Sequence, residues 1–102
     1  MTIQFGNRTV SSTDISDFET AWMIEDALLV LEYLKSRNRI VLGGDILTEK
    51  LEHNYDSWYY NAECNQSLRF NVECSIKVAI EYISNYIQAN GTDFYVIFVV
   101  DN

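Results

Sequence analysis

The residues best placed to do chemistry follow one another closely. Gly43-Gly44-Asp45 interrupts the apolar run Ile40–Thr48, and Glu49, Glu52, His53 and Asp56 come just after it. Twin glycines could cradle a phosphate, but such a loop leads into a helix N-terminus and carries a Lys or Ser in register. Here Asp45 and the strand-like Ile46-Leu47-Thr48 follow instead, and a carboxylate repels phosphate. Acid–base chemistry needs a second group to split the two pKa values, so Asp45 with Glu49 or His53 is the candidate pair of a small-molecule enzyme. The structural reading is simpler: glycine inside a strand marks a bend, bulge or close backbone approach. Asp45 is then expected to hydrogen-bond nearby backbone N–H groups.

Other catalytic constellations find less support. No GxSxG places a serine, so a Ser-His-Asp arrangement has no anchor. Cys64 and His53 form a thiol–histidine pair only if the fold joins them. With one histidine and no CxxC, no metal site is expected, and no cofactor motif is present. The sequence leaves open whether Cys64 and Cys74 pair.

The stretch Asn54–Asn61 holds Tyr55, Trp58, Tyr59 and Tyr60 around Asp56. Alternation sends Trp58 and Tyr60 to one face and Tyr59 to the other. Core packing alone, or core packing plus an aromatic binding face, both fit this pattern.

Charge bounds the partners. Fifteen acids against seven bases give −8. Val10–Leu34 carries six acids (Asp14, Asp17, Glu19, Glu25, Asp26, Glu32) and no base, while Lys35, Arg37, Arg39 and Lys50 cluster after it. Nucleic acid and anionic membrane are polyanions and are disfavoured. A basic protein partner is favoured, provided that folding gathers the acids over one patch. An acidic adaptor subunit is the blander alternative.

The positioning elements follow from periodicity. One single domain, residues 1–102, is expected at this length. The N-terminus lacks a basic-then-apolar leader, and the longest apolar run, Phe94–Val100, is far too short to span a bilayer, so a cytoplasmic protein is expected. Residues 21–38 predict a first helix with Ile24, Ala27, Leu28, Leu31 and Leu34 at helical spacing. Leu29, Val30 and Tyr33 widen its apolar face, so cover on more than one side is expected. Residues 71–91 predict a second helix with Asn71 as N-cap, Asn90-Gly91 as stop, and Glu73–Lys77 and Lys77–Glu81 pairs. Strands are expected at Thr2–Phe5, Ile40–Thr48, Ser57–Tyr60 and Phe94–Val100, with Leu51–Asp56, including His53, as a turn. Phe94–Val100 is apolar on both parities, as a mid-sheet strand would be. The class is α+β, two helices packed on a short, mostly antiparallel sheet of about 3–4 strands.

Ala21-Trp22, Glu25-Asp26-Ala27, Leu42-Gly43-Gly44-Asp45 and Trp58-Tyr59-Tyr60, with Ser75-Ile76, Ala79 and Tyr82-Ile83, make up a pattern over residues 21–88. It resembles the bacterial immunity protein 40 family, encoded beside polymorphic or contact-dependent toxins. The resemblance implies a protein without catalytic activity that neutralises a cognate toxin by binding it. It transfers no catalytic residue and no contact residue. The residues themselves offer Asp45, Glu49, Asp56, Tyr59 and Glu63 as the candidate partner-binding set; the resemblance implies a toxin as the partner, and the acidic charge favours one that is basic at its active site.

Overall fold

The computed structural model describes residues 1–5, 7–14 and 20–101. Asp17 and Glu19, among the acids named above, lie outside the described residues. The elements run β1 (Thr2–Phe5), β2 (Arg8–Ser11), β3 (Thr13–Asp14), β4 (Thr20–Met23), a 3₁₀ turn (Ile24–Asp26), α1 (Ala27–Ser36), β5 (Val41–Thr48), β6 (His53–Tyr59), α2 (Leu68–Asn90) and β7 (Phe94–Val100). The α+β class is as expected, with two α-helices on an antiparallel sheet. The sheet is larger than anticipated: five strands in the order β3-β4-β7-β5-β6, plus a separate β1-β2 hairpin.

Phe94–Val100 lies at the centre, paired with β4 on one side and β5 on the other. Pairing on both edges makes it central, and its two apolar faces follow from Val96 packing in the helix-side core and Ile97 in a small cluster on the other face. Antiparallel pairing throughout makes β4 and β5 run the same way, with β7 between them. The same holds for β6 and β7, with β5 between. Each helix therefore carries the chain between parallel strands across one intervening strand, as a crossover must.

Both helices contribute to one core on one face of the sheet, built from Trp22, Ala27, Val30, Leu31, Ile46, Trp58, Val72, Ile76, Ala79, Ile83 and Val96. The hairpin supplies Ile3 and Val10 to that core, which accounts for the broad apolar face of α1. Leu28 and Ile80, placed on the inward stripes by spacing, are 43% and 38% exposed.

Three boundaries differ from expectation. The first helix begins at Ala27, because Ala21 and Trp22 belong to β4, where Trp22 pairs with Val96. The second helix begins at Leu68, capped by Ser67, whose hydroxyl accepts from Phe70 N–H at 3.1 Å. Asn71 is inside the helix and 4% exposed. Its Oδ1 accepts from Tyr60 Oη and Glu63 N–H, both at 2.8 Å, and its Nδ2 donates to Glu63 O at 3.0 Å and Ser67 O at 3.2 Å. A buried amide with all its valences used anchors the β6–α2 loop. Finally, His53 is not in the turn; it is exposed at the start of β6 and pairs with Leu47. Gly91 ends α2 at φ 87°, as the Asn-Gly signal indicated.

The twin glycines answer two steric demands. A Cβ on Gly44 would overlap the Trp58 indole and lie 2.6 Å from Ile97 O. Gly43 has φ 152°, and a Cβ there would run into the Trp58 carbonyl. Beside them β5 bulges against β7, where Val41 pairs with Val100 and Gly43 already with Val99. Val41 N–H donates instead to Ser75 Oγ at 3.0 Å, and Ser75 donates to Val72 O at 2.9 Å.

Gly44→Ala is expected to cost about 3 kcal/mol through overpacking against Trp58. Ser75→Ala strands the buried Val41 donor and should cost about 2 kcal/mol. Urea unfolding of both variants checks these values.

Candidate functional site

The sheet face away from the helices has two unequal halves. Strand parity and register put Gly43, Asp45 and Leu47 of β5 there, with Tyr95, Ile97 and Val99 of β7 and Ser57 and Tyr59 of β6. At one half Leu47, Ile97 and Ala21 form a small buried cluster, and Leu51 from the β5–β6 turn packs onto it with Tyr95. At the other half the surface dips over Gly43. The hollow, about 430 Å³, is lined among others by Gly43, Asp45, Tyr59, Asn61, Ala62 and Val99. Tyr59 is 80% exposed and Val99 47%.

Asp45 is half-buried at the edge of this hollow. Its carboxylate takes no hydrogen bond and no ion pair among the described residues. The expected bonds to backbone N–H groups do not form, because every neighbouring N–H on β5 is directed within the sheet towards β6 or β7.

The candidate binding residues separate accordingly. Asp45 and Tyr59 come together at the hollow. Glu63 is exposed just beyond its rim residues Asn61 and Ala62, with its backbone fixed by Asn71. Glu49 is exposed in the turn at the far end of β5. Asp56 is exposed but directed towards α2: Tyr86 Oη donates to its Oδ2 at 2.7 Å. Neither Glu49 nor His53, the proposed acid–base partners of Asp45, lines the hollow. Cys64 and Cys74 are free thiols. Asn61, Ala62 and Val99 are members of the hollow that sequence reasoning passed over, although the double-sided apolarity of β7 pointed to an apolar second face at Val99.

Tyr86 is the centre of a clamp on β6. Asn54 Nδ2 donates to Tyr86 Oη at 2.8 Å, and Asp56 N–H donates to Asn54 Oδ1 at 3.1 Å. Between Ser57 and His53 the register slips, and Tyr55 stands at φ 67° with its ring 93% exposed. Rings behind the clamp form a continuous row. Tyr82 stacks on Trp58 at 4.9 Å and Tyr86 on Tyr82 at 6.0 Å, while Phe94 meets Tyr86 edge-on at 5.2 Å. Burial, then the hydrogen bond to Asp56, pushes the Tyr86 phenol up from 10.0 to about 12.

Charge is sorted along the strands. Met23 pairs with Tyr95 and Thr48 with Phe94, so the turns bearing Glu25, Asp26, Glu49, Glu52 and Asp93 share one end of the sheet, with Lys50 among them. The opposite end holds Lys35, Arg37, Arg39 and Arg69 at the close of α1 and the opening of α2. Arg39 pairs there with Asp101 at 3.3 Å and Arg69 with Glu73 at 3.2 Å. The Arg69–Glu73 pair forms where Glu73–Lys77 was expected. Arg37 lies over the Tyr33 ring at 5.4 Å. Most described bases are thus drawn away from the acidic end.

Tyr86→Phe should loosen the β6 bulge and cost about 1 kcal/mol near neutral pH. Folded Tyr86 keeps its proton up to about 12 while an ordinary phenol releases it near 10.0, so its contribution is complete below pH 10 and is lost as pH rises to 12. Denaturant midpoints across that window should fall less steeply in the variant than in the wild type.

Comparison with curated proteins and with solved structures returned no match. A protein-family model, immunity protein 40, matches residues 10–100. That span runs from the hairpin strand β2 to the last residue of β7 and includes Gly43-Gly44-Asp45, Trp58, Tyr59 and both helices. The chain belongs to the immunity protein 40 family.

Proposed function

We propose that this protein, acting as one domain of residues 1–102, neutralises a cognate bacterial toxin by binding it through the open sheet face around Asp45 and Tyr59, with Glu63 beside it. The observation that carries the reading is an unpartnered, half-buried carboxylate beside exposed aromatic and aliphatic side chains, in a chain of net charge −8 that belongs to an immunity family. Such a face suits a partner that presents cations, and the charge would speed its capture. Toxins that attack nucleic acids have basic clefts of this kind. Nucleic acid and anionic membrane remain poor partners for the same electrostatic reason. None of the described helices is long and apolar enough to cross a membrane. Free thiols at Cys64 and Cys74 suit a reducing cytoplasm.

Catalysis is the weaker reading. The hollow is lined by one carboxylate, and the groups that could complete an acid–base pair, Glu49 and His53, lie outside its lining. An adaptor role has no observation of its own.

The test pairs the purified protein with the toxin domain encoded beside it. Co-expression should restore growth, and association measured by stopped flow should slow about tenfold or more between low and high salt. Asp56 is a poor probe, because its reversal also breaks the Tyr86 clamp. Glu49→Lys with Glu63→Lys alters two exposed side chains. This double variant should associate several-fold more slowly while its stability stays within about 0.5 kcal/mol. Salt-independent association of the wild type would contradict an electrostatic mode of capture.

A further inference from the structure

The hollow over Gly43 has a chemistry of its own. Its floor is bare backbone, because the glycine presents no side chain between Tyr59 on one neighbouring strand and Val99 on the other. Those two side chains wall it, and Asp45, two residues along the same strand and on the same face, closes one end. Asn61 and Ala62 close the rim on the β6 side. The result is a concavity of about 430 Å³ with one carboxylate and the exposed Tyr59 ring, its lining completed by Leu42, Gly44, Trp58 and Tyr60.

We infer that this hollow is a socket for a single arginine side chain projected by the protein partner. Asp45 supplies the counter-charge and Tyr59 the ring on which the guanidinium lies. The inference rests on the toxin-binding reading above and names the group that the binding face receives. A half-buried carboxylate has lost part of its hydration and has gained no partner in return among the described residues. Bringing a cation beside it in a walled hollow, with lower effective dielectric than open water, strengthens the attraction. A planar guanidinium satisfies both carboxylate oxygens at once and stacks on a phenol face; a lysine ammonium does the first poorly and lacks the plane for the second. Aliphatic Val99 suits the methylene stem that an arginine leaves behind its head group. No base of this chain lines the hollow among the described residues, and Arg37, Arg39 and Arg69 already have partners elsewhere.

The experiment compares wild type, Asp45→Asn, Tyr59→Ala and Glu52→Gln for affinity and dissociation rate towards the adjacent toxin domain. Nuclear magnetic resonance titrations with acetyl-arginine-amide run alongside, with the neutral isostere acetyl-citrulline-amide as control. Asp45→Asn should weaken toxin binding by about 30-fold or more, mostly through faster release. It should leave the unfolding midpoint unchanged, since that carboxylate holds nothing in the free protein. Tyr59→Ala should weaken binding by roughly tenfold, and Glu52→Gln, outside the hollow, by less than about twofold. The arginine probe should shift Gly43, Asp45, Tyr59 and Val99 resonances in the wild type, the citrulline probe should shift them less, and Asp45→Asn should abolish the difference. If the wild type binds the toxin and Asp45→Asn binds equally well, the socket is wrong and the inhibitor reading survives. If the arginine probe discriminates at the hollow but the toxin does not bind, the socket survives and the choice of partner is wrong. Probe shifts that do not distinguish arginine from citrulline overturn the socket.

Discussion

The packing of the Trp58 indole across Gly44 is the constraint from which the rest of the architecture follows. The ring crosses the width of β5, which only a residue without Cβ permits, and is 6% exposed there. It stacks on Tyr82 of α2 and meets Phe98 of β7 edge-on at 6.0 Å, so one side chain joins strand, sheet centre and helix. Its Nε1 has no acceptor among the described residues, which shows that ring contact rather than hydrogen bonding holds it. An unmade indole hydrogen bond costs something. The apolar area of a buried tryptophan is large enough to outweigh that loss.

The adjacent glycine carries the consequence to the opposite face. The close approach of β6 backbone to Gly43 leaves no space for a side chain there, and the hollow on the open side has bare backbone at this position. Two neighbouring positions thus have different duties: Gly44 makes room for the Trp58 ring beneath the sheet, and Gly43 lets the β6 backbone come close. The remaining polar contacts secure this geometry: Asn71 holds the β6–α2 loop, Tyr86 holds the β6 bulge, and Asp101 accepts from Ile40 N–H at 2.8 Å to tie the end of β7 to the entry of β5.

Features governed by local pattern were legible in the residues. The double parity of Phe94–Val100 located the central strand, the Asn90-Gly91 stop held, and alternation sent Trp58 in and Tyr59 out. Features decided at long range were not. Ala21-Trp22 has the spacing of a helix start, yet Trp22 and Met23 are drawn into the sheet by pairing with β7, more than seventy positions away, and Ala21 by pairing with β3. Ser67 and Asn71 are both good N-caps by type, and only the loop around Glu63, which needs the amide of Asn71, decides between them. Asp56 was read in a turn; a phenol thirty residues later donates a hydrogen bond to its carboxylate. The acids themselves were legible, but the meeting of Glu25 and Asp26 with Glu49, Glu52 and Asp93 at one sheet end depended on β4, whose existence was not.

The central claim is that the glycine hollow and its surrounding sheet face meet the toxin. Hydrogen–deuterium exchange of the protein alone and in complex tests it without any substitution. The account requires slowed exchange on binding in 42–45 and 57–63, with α1 and the C-terminal half of α2 unchanged. Slowing confined to the outer surfaces of α1 and α2, with 42–45 and 57–63 exchanging as in the free protein, would contradict it.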